Sequence, residues 1–372
     1  MKLTNNLYYF DFNATTPLAN SVRDRLKGVS LCGNPSSSHL PGRDSKKIIN
    51  QCREFLYETF NLDPKAYEIL FHSGATEGIN TFFKGINCKS AYVSSVDHAA
   101  AIEASQLYCE KVSLLEVDSK NFTHSLPASF GAEKSALNLT PVNNEIGSCI
   151  PQANIKSFID DDRLIVHLDC AQLVGKITNW QKLPSGAAMY TFSGHKFGAL
   201  LGIGFSFIKR GLKISPLIVG GSQQLLRSGT VNSLGIESLK LALTELIQTQ
   251  DFDSSHKAIT YLRDQIQNLL KGQARIIGYN QHHQNLNTIA IILPGNKTDQ
   301  VVAAFDLHGI AISSGSACSI GASKPSQVLK GLGFSEEEAR TSIRLSFSCS
   351  MTENDAAEYF SVIRPILSKF IK

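Results

Sequence analysis

The chain has 372 residues, of which 42% are hydrophobic and 18% are charged. This length favours two domains, because a typical domain has roughly 100–200 residues. The composition excludes a chain that is disordered throughout, since such chains are poorer in apolar residues. Lysine and arginine exceed the acidic residues by only four charges, which is too weak a balance to indicate direct binding of nucleic acid. We therefore expect a globular protein with a sizeable core.

Neither a targeting segment nor a membrane span is expected. The first ten residues hold one lysine and a short apolar run, Leu7–Phe10, unlike a signal peptide. The longest apolar stretch, Phe197–Ile208, is interrupted by three glycines and one serine, and it is shorter than the ~20 residues that a spanning helix needs. The sequence therefore predicts a cytoplasmic protein without membrane contact.

Eight cysteines are spread through the chain. They are too sparse for a disulfide scaffold, and their spacings repeat no metal-ligand pattern. We expect reduced thiols, most of them buried, and no metal site. Composition alone does not rank them.

Short apolar runs alternate with helical patterns from about residue 66. The predicted strands are Tyr67–Phe71, Ala91–Ser94, Val112–Val117, Leu137–Pro141, Leu164–Leu168, Ala188–Phe192 and Ile203–Ile208. Helical spacing lies between several of them, for example at Thr76–Phe83 and Ala99–Glu110. Continuous apolar strands separated by helices are typical of a mostly parallel sheet covered on both faces. The sequence therefore predicts an α/β domain of seven strands.

The pattern changes after Asn232. Two long helices are predicted, the second ending at Gly272, and Ser335 opens a later helix with a capping box. Isolated strands are predicted at Thr288–Leu293, Ile310–Ser313 and Ser342–Phe347. This mixed order indicates a smaller α+β domain.

Two strand ends carry polar groups with two open interpretations each. The turn His72–Gly78 has small residues and Thr76 where a helix begins. These suit a bound phosphate, but on this stretch alone a plain turn is the more common explanation. Asp169 ends a buried strand, with Gln172 three residues on. It is either a ligand-binding carboxylate at the carboxyl edge of the sheet or a helix N-cap.

Lys196 follows the next predicted strand, 27 residues after Asp169. A lysine shielded by apolar neighbours can lose its proton and form a Schiff base. The spacing is one strand–helix–strand unit, so both side chains emerge at the same edge of the sheet. Pyridoxal phosphate needs a lysine, an acid facing its ring nitrogen and a phosphate cradle. The lysine, the acid and the phosphate cradle together indicate pyridoxal phosphate far more specifically than any one of them does alone.

The chain resembles the cysteine desulfurases of the NifS/IscS type, which have the class-V aminotransferase fold. The matching segments keep the family's order along nearly the whole chain: Asp11–Pro17, Gly33–His39, Ser73–Glu77, Asp97–His98, Val142–Gly147, Asp169–Gln172, Ser193–Lys196, Arg227–Thr230, Ser313–Cys318 and Ser342–Arg344. The resemblance implies a pyridoxal-phosphate-dependent fold of the aspartate aminotransferase type. It also implies a large cofactor domain at 14–250 and a small domain formed by 1–13 and 251–372.

The resemblance also implies roles for the matching residues. Lys196 would carry the cofactor, and Asp169 would pair with its ring nitrogen. The other implied cofactor contacts are Gln172 and Asn144 near the ring hydroxyl, His98 stacked on the ring and assisting proton transfer, and Ala75, Thr76, Ser193 and His195 at the phosphate, joined by Thr230 from a second subunit. Arg344 would bind the substrate carboxylate, with Asn144 assisting.

Cys318 is the cysteine that packing explains least. It lies in a run of small residues, Ser313–Ser323, which is typical of an exposed loop. In the family such a thiol attacks the sulfur of bound L-cysteine, releasing alanine and leaving a persulfide that passes to an acceptor protein. The other seven, Cys32, Cys52, Cys88, Cys109, Cys149, Cys170 and Cys349, are predicted to be structural.

The chain departs from the family pattern in three places. Gly198–Gly202 lacks the usual second lysine, and Gln223–Leu226 replaces a stretch that commonly contains His-Glu. The chain also ends at Lys372, without the extension with which some members dock a scaffold protein for iron–sulfur clusters. These differences leave the sulfur acceptor open between a scaffold, a tRNA-modification enzyme and another carrier.

Three functions remain in competition. The first is a homodimeric cysteine desulfurase. The second is a related lyase or aminotransferase acting on another amino acid, such as selenocysteine. The third is a weakly active homologue that serves as a binding partner in sulfur transfer. Cys318 argues against the second, and the complete set of site residues argues against the third.

Overall fold

The computed structural model describes residues 1–4, 7–29, 33–118, 124, 133–221, 223–224, 226–279, 284–315 and 325–371. Cys318 and Cys32 lie outside the described residues. The strands, numbered along the chain, are β1 (Lys2–Thr4), β2 (Leu7–Tyr9), β3 (Tyr67–His72), β4 (Ser90–Ser94), β5 (Lys111–Leu115), β6 (Ser135–Leu139), β7 (Leu164–Asp169), β8 (Met189–Ser193), β9 (Gly204–Lys209), β10 (Arg275–Ile276), β11 (Thr288–Ile292), β12 (Ile310–Ala311), β13 (Ser313–Ser314) and β14 (Ser342–Ser346). The α-helices are α1 (Asn20–Lys27), α2 (Leu40–Phe60), α3 (Ala75–Ile86), α4 (Ala99–Tyr108), α5 (Gln152–Ile159), α6 (Ser233–Thr249), α7 (Phe252–Leu270), α8 (Thr298–Leu307), α9 (Gln327–Gly331), α10 (Glu336–Arg340) and α11 (Glu353–Leu367).

The largest sheet confirms the predicted α/β fold. Its seven strands lie in the order β3-β9-β8-β7-β6-β4-β5. Only β9 runs against its neighbours, and the other six strands are parallel to one another. Apolar clusters pack on both faces, one with α2 and α6 and the other with α3 and α4. Burial on both faces explains why the central strands β6, β7 and β8 are buried along almost their whole length rather than at alternate residues.

Two smaller sheets lie outside the large one. The first has the order β10-β11-β14-β13, and the second has the order β1-β2-β12. An apolar cluster joins the first sheet to α7 and α11 and includes Phe10 from the N-terminal segment. The break between α6 and α7 brackets residue 250, and the domain limits at 14 and 250 stay a prediction.

The expectation of one strand at Ile310–Ser313 is wrong. Ile310 and Ala311 pair in parallel with β2, whereas Ser313 and Ser314 pair antiparallel with β14. The two halves find partners in different sheets, so the chain leaves one ladder at Ile312 before it joins the other. An apolar run records burial but not which neighbour supplies the hydrogen bonds.

Helix boundaries with a side-chain signal agree with the sequence analysis. Asn232 caps α6 by accepting a hydrogen bond from Gly235 N, and Ser335 forms a full capping box with Glu338. The 21-residue helix α2 precedes the segment in which helices were predicted. In the part of the chain that the structure describes, no helix combines the length and the hydropathy needed to cross a bilayer.

Candidate active site

A cavity of about 430 Å³ opens at the carboxyl edge of the large sheet. This is the edge where open α/β proteins bind ligands. The segments that follow β3, β4, β6, β7 and β8 all contribute to it. Ten residues with implied roles line it together: Ala75, Thr76, His98, Asn144, Asp169, Gln172, Ser193, His195, Lys196 and Arg344.

Lys196 is held by the N-terminal segment of the chain. It ends a short 3₁₀ turn after β8, and its Nζ donates to the carbonyl oxygens of Asn13 (2.7 Å) and Ala14 (2.9 Å). The Thr16 hydroxyl donates to the Lys196 carbonyl at 2.8 Å. These contacts place the amine at the cavity wall with neutral carbonyl partners.

Asp169 is the buried carboxylate of the cavity. It is the last residue of β7, it is 3% exposed, and its Oδ1 accepts a hydrogen bond from Ala171 N at 3.0 Å. Burial raises its pKa, while His98, the Ala171 N–H and Lys196 act in the opposite direction. A buried carboxylate is strongly stabilised by a protonated ring nitrogen placed opposite it. Asp169 therefore fits the pyridine end of the cofactor.

The opposite end of the cavity suits a phosphate. Helix α3 begins after Gly74, and no side chain among the described residues caps it. Its first N–H groups therefore need an acceptor, and the helix dipole favours an anion there. Thr76 and Ser193 add hydroxyl groups beside this terminus. The residues present thus fit pyridoxal phosphate at both of its ends.

His195 supplies a hydrogen bond rather than a charge. Its Nδ1 lies 3.1 Å from the Thr15 hydroxyl. Burial first, then the charges of Lys196 and Lys176, lower its pKa to about 4. At neutral pH the ring is therefore uncharged, so its contribution at a phosphate is that of a neutral donor.

One donor of the Arg344 guanidinium, its Nε, has no hydrogen-bond partner among the described residues. Arg344 is 1% exposed, its Nη2 pairs with Asp11 Oδ1 at 2.7 Å, and its Nη1 donates to the Asn144 carbonyl at 3.1 Å. Its Nε is buried without a partner among the described residues. A buried donor without a partner is costly, so a ligand oxygen is expected there. The planar fork of arginine suits a carboxylate in that position.

His98 holds its proton on one defined nitrogen. It is the N-cap of α4, and its Nδ1 accepts from Ala100 N at 3.1 Å. The neutral ring therefore carries its proton on Nε2. The preceding residue, Asp97, is buried and accepts from Ser94 N, Asn138 Nδ2 and the Thr140 hydroxyl. This network fixes the start of α4 and with it the position of His98.

Thr230 lies apart from the other predicted residues. It is exposed and lines a separate small groove with Arg227 rather than the cavity of its own chain. Arg227 pairs with Glu77 of α3 at 2.7 Å. Gln224 donates to the Phe71 carbonyl and accepts from Phe71 N, both at 2.9 Å. The altered segment at 223–226 therefore anchors the stretch before Thr230 to β3.

Four residues at or behind the cavity went unrecognised in the sequence. They are Asp11, Asn13, Glu145 and Lys176. Asn13 is buried, and its side chain donates to the Asn144 carbonyl and to the Thr288 hydroxyl at 2.9 Å each. Burial raises the pKa of Glu145 to about 7, and Ser326 donates to it at 2.5 Å. Asp11, Asn13 and Glu145 lie inside motifs of the sequence and Lys176 lies outside them, but only the fold brings the four residues together.

Comparison with known proteins identifies the family. The family model described as Aminotransferase class-V matches residues 8–358. The chain belongs to the class-V aminotransferase family. This family depends on pyridoxal phosphate, so the cofactor prediction is confirmed.

Class-V aminotransferases similar to this chain include named desulfurases. Cysteine desulfurase IscS of Dictyoglomus turgidum is 30% identical over 383 residues, covering 97% of this chain and 94% of that protein. Cysteine desulfurase 2 of Trichormus variabilis is 32% identical over 379 residues, covering 98% and 94%. The NifS-like protein of Rickettsia africae superposes with a TM-score of 0.82 at 26% identity, covering 97% of this chain and 99% of that structure. The predicted fold and family resemblance are confirmed.

Proposed function

We propose that this class-V aminotransferase is a cysteine desulfurase that converts L-cysteine to L-alanine and passes the sulfur on as a persulfide. The observation that carries the proposal is a single cavity. It combines Lys196, Asp169 and the uncapped start of α3 with Arg344, whose Nε has no partner among the described residues. The similar proteins named cysteine desulfurase support it along almost the whole chain.

The residues of the cavity divide the work on an amino acid. The cofactor supplies an electron sink that weakens bonds at the α and β carbons of the bound substrate. Arg344 binds the substrate carboxylate, and Asp11 keeps the guanidinium in place. Lys196 would hold the cofactor through its amine, which lies at the cavity wall. His98, which lines the cavity, would supply a proton from Nε2, since its Nδ1 accepts from Ala100 N.

Cys318 is the proposed nucleophile. Its thiolate bonds to the substrate sulfur while the Cβ–S bond breaks, and the carbon fragment keeps that electron pair and takes up protons to leave as L-alanine. Burial raises the pKa of every described cysteine: Cys52, Cys88, Cys109, Cys149, Cys170 and Cys349. Each is therefore a thiol at neutral pH and a poor nucleophile. These thiols fit the structural role predicted for them.

In this proposal the enzyme is a homodimer and passes its sulfur to an acceptor protein. Thr230 is exposed outside its own cavity, which supports a homodimer in which it reaches the phosphate of the neighbouring subunit. Leu201, which lines the cavity, is 71% exposed, and Val219, next to the bridge between Ile218 and Arg227, is 76% exposed. Sedimentation at assay concentration tests this, and a fully active monomer would contradict it.

The test of the function is product analysis. Protein loaded with pyridoxal phosphate, given L-cysteine and a thiol reductant, should release alanine and sulfide in equal amounts. L-selenocysteine in parallel separates a desulfurase from a lyase for selenium. Turnover of selenocysteine alone, or no turnover of either amino acid by loaded protein, would overturn the proposal.

Replacing Arg344 tests the substrate carboxylate site. Breaking a buried hydrogen-bonded charge pair costs roughly 2–5 kcal/mol, so we expect Arg344→Met to lower kcat/KM for L-cysteine by about 10²–10³-fold. Arg344→Lys should recover little, because an ammonium lacks the planar fork. Steady-state assays with Arg340→Met as the control measure this. Arg340 is an exposed arginine that pairs with Glu336. Equal losses in both variants would argue against the assignment.

A further inference from the structure

Lys176 is a buried lysine that contacts the cavity-lining residue Gln172, and the proposed reaction does not use it. It is 1% exposed, and its ammonium donates to Gln172 Oε1. Its backbone is held in place, since Leu286 N donates to the Lys176 carbonyl at 2.9 Å and the Gln250 side chain donates to the Gly175 carbonyl. A buried lysine normally pairs with a carboxylate. Here its partner is the neutral side-chain amide of Gln172.

The contact with Lys176 fixes the orientation of the Gln172 side-chain amide. Its oxygen accepts from Lys176, and its Nε2 donates to the Asn13 carbonyl at 2.9 Å. A flipped amide would place NH₂ against the ammonium and oxygen against the carbonyl, which are two repulsive contacts. The amide nitrogen has two hydrogens, and the Asn13 carbonyl uses one. Gln172 lines the cavity, so it offers the cavity a donor and not an acceptor.

We propose that Lys176 is a positioning residue that fixes the Gln172 amide with its N–H toward the ring oxygen of the bound cofactor and strengthens that donor with its positive charge. This inference rests on the cofactor site of the proposed function. A hydrogen bond donated to an oxygen stabilises the oxygen's anionic form, and a cation behind the donor polarises it further. The bound cofactor should therefore lose its proton at a lower pH than it would without Lys176.

The electrostatic surroundings of Lys176 agree with such a role. Burial lowers its pKa to about 7, with Cys349 acting in the opposite direction and Lys196 and Arg344 in the same direction. Lys196 and Arg344 line the cavity, and Lys176 lies behind Gln172, so the charged form of Lys176 is repelled by the other two side chains. An anionic ligand with a phosphate and an ionised ring oxygen relieves that repulsion.

The test is a pH titration of the visible absorption of the cofactor-loaded protein. Removing one charge-assisted hydrogen bond moves a pKa by about one unit. We therefore expect the apparent pKa of the bound cofactor to rise by about one unit in Lys176→Met, and its dissociation constant to increase about tenfold. Lys182→Met, which replaces an exposed lysine in the same segment, should change neither quantity. An unchanged titration in folded Lys176→Met would overturn the inference.

A double-mutant cycle separates positioning from a merely structural role. In a Gln172→Met background, Lys176→Met should shift the titration no further, because the amide that transmits the effect is gone. An equal shift in both backgrounds would also overturn the inference. If Lys176→Met does not fold, Gln172→Glu replaces the amide donor by a carboxylate that pairs with Lys176. That variant should then raise the apparent pKa, and no change would count against the proposal.

The titration needs bound pyridoxal phosphate but no turnover of L-cysteine. A protein that binds the cofactor, shows the shift and releases no sulfide would disprove the desulfurase function and leave the role of Lys176 standing. A protein that releases sulfide but shows no shift in Lys176→Met would disprove the role of Lys176 and leave the desulfurase function standing.

Discussion

Replacing Cys318 by serine is expected to abolish sulfide release from L-cysteine while the cofactor stays bound. A hydroxyl at this position is not ionised at neutral pH and is a poor nucleophile toward sulfur. We expect kcat to fall by roughly 10³-fold or more, as is found when a covalent nucleophile is removed. Sulfide and alanine assays measure the loss, and the visible absorption spectrum reports the retained cofactor.

Two further measurements make the result specific to Cys318. Mass spectrometry of the wild-type protein after L-cysteine, without reductant, should find an added sulfur atom on the peptide containing Cys318. Cys109→Ser should keep full sulfide release, because Cys109 is a buried thiol at the end of α4. Undiminished sulfide production by Cys318→Ser would disprove the persulfide mechanism.

Sequence patterns predicted the large sheet because the relevant signals are local. The predicted strands are short, mostly apolar runs; Asp169 follows one of them directly, and Lys196 follows the next after three residues. The carboxyl ends of parallel strands meet at one edge, so residues at those ends meet as well. The sequence therefore predicts that the lysine and the carboxylate lie at one edge of the sheet, and the structure places both in one cavity.

Contacts between distant parts of the chain could not be predicted in this way. Asp11 and Arg344 are 333 positions apart and form a nearly buried ion pair. Asn13 joins the cavity only because the N-terminal segment lies against β14, where Ser346 accepts from Asn13 N at 2.9 Å. No periodicity encodes such a pairing, which depends on how the small sheets pack against the large one.

The burial of Lys176 could not be predicted from the sequence pattern either. Four residues after Gln172, Lys176 has the spacing of two neighbours on an exposed helix, where a lysine needs no explanation. The structure forms a turn there instead, closed by Gly175 in the left-handed region at φ +74°. The fold thus places an ordinary surface residue type against Gln172 in the cavity wall.

Removing the amine of Lys196 should eliminate covalent attachment of the cofactor without emptying the cavity. In Lys196→Ala, Asp169 and the start of α3 remain, so pyridoxal phosphate should still bind, but more weakly. The visible absorption should change to that of the unattached aldehyde. We expect kcat to fall by about 10³-fold or more, because one residue supplies both the attachment and a proton-transfer group.

Reduction with borohydride distinguishes attachment from simple binding. In the wild type it should fix the cofactor permanently on the peptide that contains Lys196, and in Lys196→Ala no peptide should carry it. Lys209→Ala is the matched control, since Lys209 is an exposed lysine at the end of β9, the strand next to β8. Cofactor trapped on another lysine in Lys196→Ala would show that the cavity does not select its amine. Selection is expected because the Asn13 and Ala14 carbonyls hold the Lys196 amine at the wall of this cavity.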